Sequence, residues 1–101
     1  MTISKLDIAE KVPYSLDGRK MYSTPGAEII HLTLKPGEVV EKHKNPFDVA
    51  VYVLEGRGIL ETDEDSVTVG PDMCAGIEAD RNRGIRNTGT GVMRVLVVKV
   101  F

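Results

Sequence analysis

The chain is a succession of short apolar runs separated by turn residues, and no stretch of it carries a sustained helical period. Residues 27–34 (AEIIHLTL) read as an extended run, closed by Lys35-Pro36-Gly37-Glu38. Proline fixes φ and glycine accepts a positive one, which is what the two central positions of a type II turn require. Further strands are expected at 39–44 and at 49–54 (VAVYVL), the second β-branched and apolar throughout. Gly56-Arg57-Gly58 turns the chain into a strand at 59–62. Asp63-Glu64-Asp65 reads as the solvated tip of a hairpin that returns through Val67 and Val69, and Gly70-Pro71-Asp72 leads to a strand around 73–77. A polar loop is expected from Asp80 to Arg83, and Thr88-Gly89-Thr90-Gly91 delivers the last strand, 92–101. The first 25 residues are the least patterned. There, KLDIAEKVPY reads as one helical turn or as a leading strand, with Pro13 opposing a helix that runs through it.

Short strands at even spacing, with Gly and Pro between them, predict an all-β sandwich or barrel. Two antiparallel sheets rolled together as a jelly roll fit the strand count. No linker, repeat or low-complexity segment interrupts the chain, so residues 1–101 are read as a single β-barrel domain, with 1–25 as an N-terminal extension and 26–101 as the barrel core.

Composition narrows the function classes. A chain of 101 residues supports one modest core. With 42% hydrophobic and 28% charged residues it is expected to fold rather than stay disordered. A net charge of −2 gives no bulk attraction to nucleic acid or to an anionic membrane, and the Arg81, Arg83, Arg86 cluster lacks the interleaved aromatics of a nucleic-acid footprint. No apolar run approaches the roughly 20 residues needed to span a bilayer. The opening MTISKLDIAEK has neither the apolar stretch nor the cleavage site of a secretory signal. Cys74 stands alone, which excludes an intrachain disulfide and suits a reducing interior; a cytoplasmic location is expected. Its place in an apolar strand predicts a buried, inert thiol. Phosphate loop, Gly-x-Ser-x-Gly elbow and Cys-x-x-Cys pair are all absent.

The span Pro36–Gly56 (PGEVVEKHKNPFDVAVYVLEG) resembles the first motif of the cupin superfamily. In that motif a glycine is followed, after five residues, by His-x-His, then by glutamate and a closing glycine. Gly37, His43 and Gly56 sit on this spacing, while Asn45 stands at the second histidine and Val49 at the glutamate. The segment VGPDMCAGIEADRNRGIRN resembles the second motif: Asn87 fits it, and Arg83 occupies the histidine position. Together the two motifs cover roughly residues 27 to 100. The resemblance implies a double-stranded β-helix of the small, single-domain kind, and it implies a metal site of which only His43 is retained. Asn45 offers a neutral amide, Val49 offers no donor, and Asp48 lies on the opposite strand face. A guanidinium at about 4 Å from a divalent cation costs about 8 kcal/mol at an effective dielectric of about 20. No metal and no other cofactor is therefore expected.

If Arg83 enters the barrel mouth beside His43 and Asn45, the three form a ligand-binding set of one permanent cation, one titratable ring and one amide, suited to an anion. The alternative places Arg83 on a mobile loop, pointing into water. His31, sharing a strand face with Ile29 and Thr33, is read as a structural or exposed ring. Three functions remain open: a metal-free domain that binds a small polar or anionic molecule; an enzyme, either a metal-dependent dioxygenase or isomerase with a degraded site or a metal-free isomerase with His43 as acid–base, oriented by Glu41 on the same strand face; and a regulatory scaffold. A homodimer is expected, because the strand VMRVLVVKVF is apolar on both faces and one barrel core covers only one of them.

Overall fold

In a computed structural model of residues 1–101, ten strands and no helix make up the regular structure. They are β1 (Glu10–Lys11), β2 (Asp17–Thr24), β3 (Ala27–Leu34), β4 (Val39–His43), β5 (Asp48–Glu55), β6 (Gly58–Thr62), β7 (Ser66–Val69), β8 (Cys74–Ile77), β9 (Arg83–Asn87) and β10 (Met93–Val100). All pairings are antiparallel. One sheet has the order β1-β2-β3-β10-β5-β8 and the other β4-β9-β6-β7, so consecutive strands repeatedly fall in different sheets and the chain rolls up as a double-stranded β-helix.

The expected turn at Lys35–Glu38 is of type II: Gly37 has φ +83°, and the Glu38 amide donates to the Lys35 carbonyl at 3.0 Å. The stretch before residue 26, weakly patterned in sequence, holds a turn in which the Ile8 and Ala9 amides donate to the Lys5 carbonyl, followed by β1 and the eight-residue β2. β2 runs beside β3 at the sheet margin and leaves the face of that sheet uncovered. Arg83 opens β9 instead of ending a polar loop, a correction to the sequence expectation. Its neighbours explain the difference: Gly84, Ile85 and Asn87 are all buried, and β9 is held between β4 and β6.

Strand alternation places the core. Ile30, Leu32 and Leu34 of β3, Val49, Val51 and Val53 of β5, and Met93 and Val95 of β10 point inward to meet Leu60, Val69, Ile77 and Ile85. Leu34 and Met93 are direct cross-strand partners, and both are completely buried. They close one end of the barrel together with Asn87, which is 3% exposed. The Asn87 amide nitrogen donates to the carbonyls of Leu34 (2.9 Å) and Gly91 (2.8 Å), and its oxygen accepts from the Gly89 amide (2.9 Å). Every polar atom of that side chain is thus satisfied inside the fold. No helix is long and apolar enough to cross a membrane.

On the outer face of the six-stranded sheet the same alternation exposes Tyr22 and Val100 and leaves Ile29, Ala50, Tyr52, Leu54, Leu96 and Val98 only partly covered. His31 lies on this face but is buried, with Arg19 and Leu96 as its cross-strand neighbours. Cys74 is also on this face and is exposed, contrary to the buried thiol expected. β8 is an edge strand, and its alternation turns Ala75 and Ile77 inward and Cys74 outward.

Candidate functional site

The other end of the barrel is open and holds a cavity of about 540 Å³. Twelve of its nineteen lining residues are hydrophobic, so its body is apolar: Ile30, Leu32, Val51, Leu60, Val95 and Val97 form the walls. Its polar groups gather at the mouth and include His43, Asn45 and Arg83, the three residues expected there, together with Glu41 and Lys99. Val49 also lines the cavity, so the position at which the resemblance calls for a carboxylate presents a valine. Asp48 is directed elsewhere and accepts a hydrogen bond from the Ala79 amide at 2.9 Å.

An irregularity in β4 brings His43 and Arg83 together. Val40 pairs with Ile85, but the next pair is His43 with Arg83, so Glu41 and Lys42 both lie opposite Gly84. This is the two-against-one count of a β-bulge. Glycine is required opposite it: a Cβ at Gly84 would stand 2.6 Å from the Val40 carbonyl oxygen and 3.0 Å from the Lys42 amide nitrogen. His43 is exposed at the rim, where its Nδ1 lies 2.9 Å from the main-chain carbonyl of Glu41. A carbonyl only accepts, so Nδ1 carries a proton and the neutral ring keeps its lone pair on Nε2. Glu41 therefore orients His43 through its main chain, not through the carboxylate expected from sequence.

Arg83 points inward and is 7% exposed, so the solvated alternative does not hold. Its Nη1 donates to the His43 carbonyl at 3.3 Å. With the Asn45 amide turned so that both groups are satisfied, the Asn45 oxygen accepts from Nη1 at 3.1 Å and from Nη2 at 2.7 Å, while its nitrogen donates to the Lys44 carbonyl. Asn45 is held on its main chain as well, its carbonyl accepting from the Asp80 amide at 2.7 Å. All of these acceptors are neutral. Burial lowers the Arg83 pKa from its ordinary value, opposed by nearby Tyr14. The other two arginines of the cluster are neutralised outside the cavity: Arg86 pairs with Glu61 at 2.7 Å, and Arg81 with Glu64, Asp65 and Glu78. Lys99 is paired too, with Glu28 at 3.4 Å. Arg83 is thus the one cavity arginine, and it has no anionic partner.

Sequence reasoning missed Lys99 and the segment Tyr14–Leu16, which also line the cavity. Lys99 was legible as the one charged residue on the inward series Val95, Val97, Lys99 of β10. Nothing local in residues 14–16 marks their contribution, which follows from β2 folding back along β3.

The donor set does not fit a divalent metal. No three His, Cys, Asp or Glu side chains converge anywhere in the fold. At the positions where the resemblance implies ligands, an imidazole is accompanied by an amide, a valine and a guanidinium.

The chain belongs to the cupin family: the family model described as Cupin domain matches residues 30–99. No curated protein sequence matches at a significant level. Solved structures of similar fold include the TT1209 protein of Thermus thermophilus, at 24% identity and TM-score 0.84, covering 99% of this chain and 97% of that one. A predicted oxalate decarboxylase of Thermotoga maritima matches at 19% identity and TM-score 0.86, over 100% and 99% of the two chains. The polyketide cyclase RemF of Streptomyces resistomycificus matches at 20% identity and TM-score 0.85, over 99% of this chain and 79% of that one. At such identities the likeness is one of fold, and one fold hosts many activities.

Proposed function

We propose that this cupin is a metal-free domain that binds a small anionic molecule in its barrel. The observation that carries the reading is Arg83, a guanidinium turned into the cavity with only neutral acceptors around it. Burying a cation costs several kcal/mol unless a counter-charge offsets it. An anion entering the cavity supplies that counter-charge and meets a planar, preoriented donor. The test is chemical-shift mapping with acetate, benzoate, phosphate and citrate. At least one is expected to move the resonances of His43, Asn45 and Arg83 together, and Arg83→Gln to abolish the effect. No response at these three residues to any of the four anions would overturn the proposal.

The second reading is an enzyme, a metal-free isomerase with His43 as acid–base. The tautomer set by the Glu41 carbonyl favours it, because it leaves Nε2 basic at the cavity rim. Similar structures bear the names of a decarboxylase and a cyclase, so the fold accommodates catalysis. Two further features of the molecule belong to the same proposal. The uncovered apolar face supports a homodimer packed through the six-stranded sheet. A lone exposed thiol at Cys74 fits a reducing, cytoplasmic location.

A further inference from the structure

The guanidinium of Arg83 has two hydrogen-bonding edges, and the protein fills one. The end-on edge, Nη1 and Nη2, is taken by the Asn45 oxygen, and the remaining Nη1 proton goes to the His43 carbonyl. The side-on edge, Nε–H with the second Nη2–H, has no protein acceptor. That edge is not sealed in the core either: the only fully enclosed side-chain atom without a partner is Nδ1 of His31. The free edge is therefore accessible, on a side chain that lines the cavity. Two parallel N–H groups match the two oxygens of a carboxylate.

We infer that the ligand is a monocarboxylate with a compact apolar body, its carboxylate forked on Nε and Nη2 of Arg83 and its body against the cavity walls. This rests on the anion-binding reading and narrows it. The charge balance selects a single negative charge: Lys99 is already paired with Glu28, so Arg83 is the one cavity Lys or Arg without an ion pair, and with Glu41 already in the lining a dianion would bring one charge too many. The walls select the body: Ile30, Leu32, Val51, Leu60, Val95 and Val97 offer no partner to hydroxyl groups, and the polar side chains beside them, Tyr14 and Ser15 among them, are too few to compensate every hydroxyl of a polyhydroxylated acid for its lost water. Asn45 positions the fork by occupying the edge that would otherwise compete for the ligand.

Calorimetry with benzoate, 3-phenylpropanoate, 4-methylpentanoate, 3-phenylpropanamide, gluconate and inorganic phosphate tests the inference. At least one apolar carboxylate is expected to bind about tenfold or more tightly than the amide, gluconate and phosphate. Asn45→Asp places a carboxylate on the end-on edge, so it is expected to weaken carboxylate binding about tenfold or more while the barrel stays folded. Arg83→Gln should abolish binding; if that variant does not fold, the carboxylate–amide comparison and Asn45→Asp decide. Gluconate or phosphate binding as tightly as every apolar carboxylate, with loss in Arg83→Gln, would overturn the inference and leave anion binding standing. Failure of all six probes to bind would overturn both.

Discussion

His43 and Arg83 face each other directly across β4 and β9, and the main-chain carbonyl of the first accepts a hydrogen bond from the side chain of the second at 3.3 Å. In the cupin pattern both positions belong to metal ligands. Here the pair joins an imidazole to a guanidinium, and the chemistry of the mouth follows from that exchange.

Metal affinity is the direct check. Protein purified without a polyhistidine tag is expected to show no sub-micromolar binding of manganese, iron or zinc by calorimetry. The double variant Asn45→His, Arg83→His adds two imidazoles beside His43 and removes the opposing charge, so it is expected to bind zinc measurably more tightly. Tight binding by the unaltered protein that His43→Ala abolishes would contradict this account.

His31 should make stability depend on pH. Burial and the neighbouring Arg94, whose Nε donates to His31 Nε2 at 3.2 Å, pull its pKa below the ordinary value, against a smaller upward pull from Asp17. In the unfolded chain histidine takes up its proton near about pH 6.5. The unfolded state therefore binds the proton first. The contribution is complete above that pH and declines as pH falls towards the folded-state value. Urea midpoints are expected to fall below about pH 6.5 in the wild type and to flatten in His31→Gln. Asp17, lowered by Arg19, loses its contribution only in the more acid range where carboxylates titrate, so the two effects separate.

Asn87→Ala removes three hydrogen bonds at the closed end and leaves the Leu34 and Gly91 carbonyls and the Gly89 amide without their partner. A loss of roughly 2–4 kcal/mol in unfolding free energy is expected, measured by denaturant titration. Ligand affinity at the opposite end should survive in the fraction that remains folded.

Light scattering at micromolar concentration is expected to report a dimer. Val98 is on the outer sheet face and Val97 lines the cavity, so the two substitutions separate interface from core. Val98→Asp is expected to give a folded monomer, and Val97→Asp to damage the barrel itself. A monomeric wild type would mean that the outer face stands uncovered in solution.

The barrel was legible because its signals are local. Pro36-Gly37 can close only a few turn types, and the alternation in 27–34 and 49–54 fixes which side chains go inward. β2 carried no such signal: DGRKMYST is polar, and it becomes a strand by pairing along β3, a long-range event. β9 was missed for a related reason. RGIRN looks like loop sequence because two of its three inward residues, Arg83 and Asn87, are polar and only Ile85 is apolar. His43, Asn45 and Arg83 could be nominated by spacing against a motif. The bulge that makes His43 and Arg83 partners could not, since its trace in the sequence is the small residue Gly84. Cys74 and Lys99 fell on the faces that alternation assigns once the register is known.

The β4 irregularity makes the length of that strand, and not only its side chains, a determinant of what the barrel mouth presents. Deleting Glu41 or Lys42 removes the extra residue and leaves His43 opposite Arg83, but it abolishes the bend and the local main-chain path from which the Glu41 carbonyl holds His43 Nδ1. Inserting one more residue there shifts the following segment by one place against β9 and turns His43 out of line with Arg83. Length variation at a single point of this strand could therefore reset the recognition chemistry of the barrel while every core residue stays where it is.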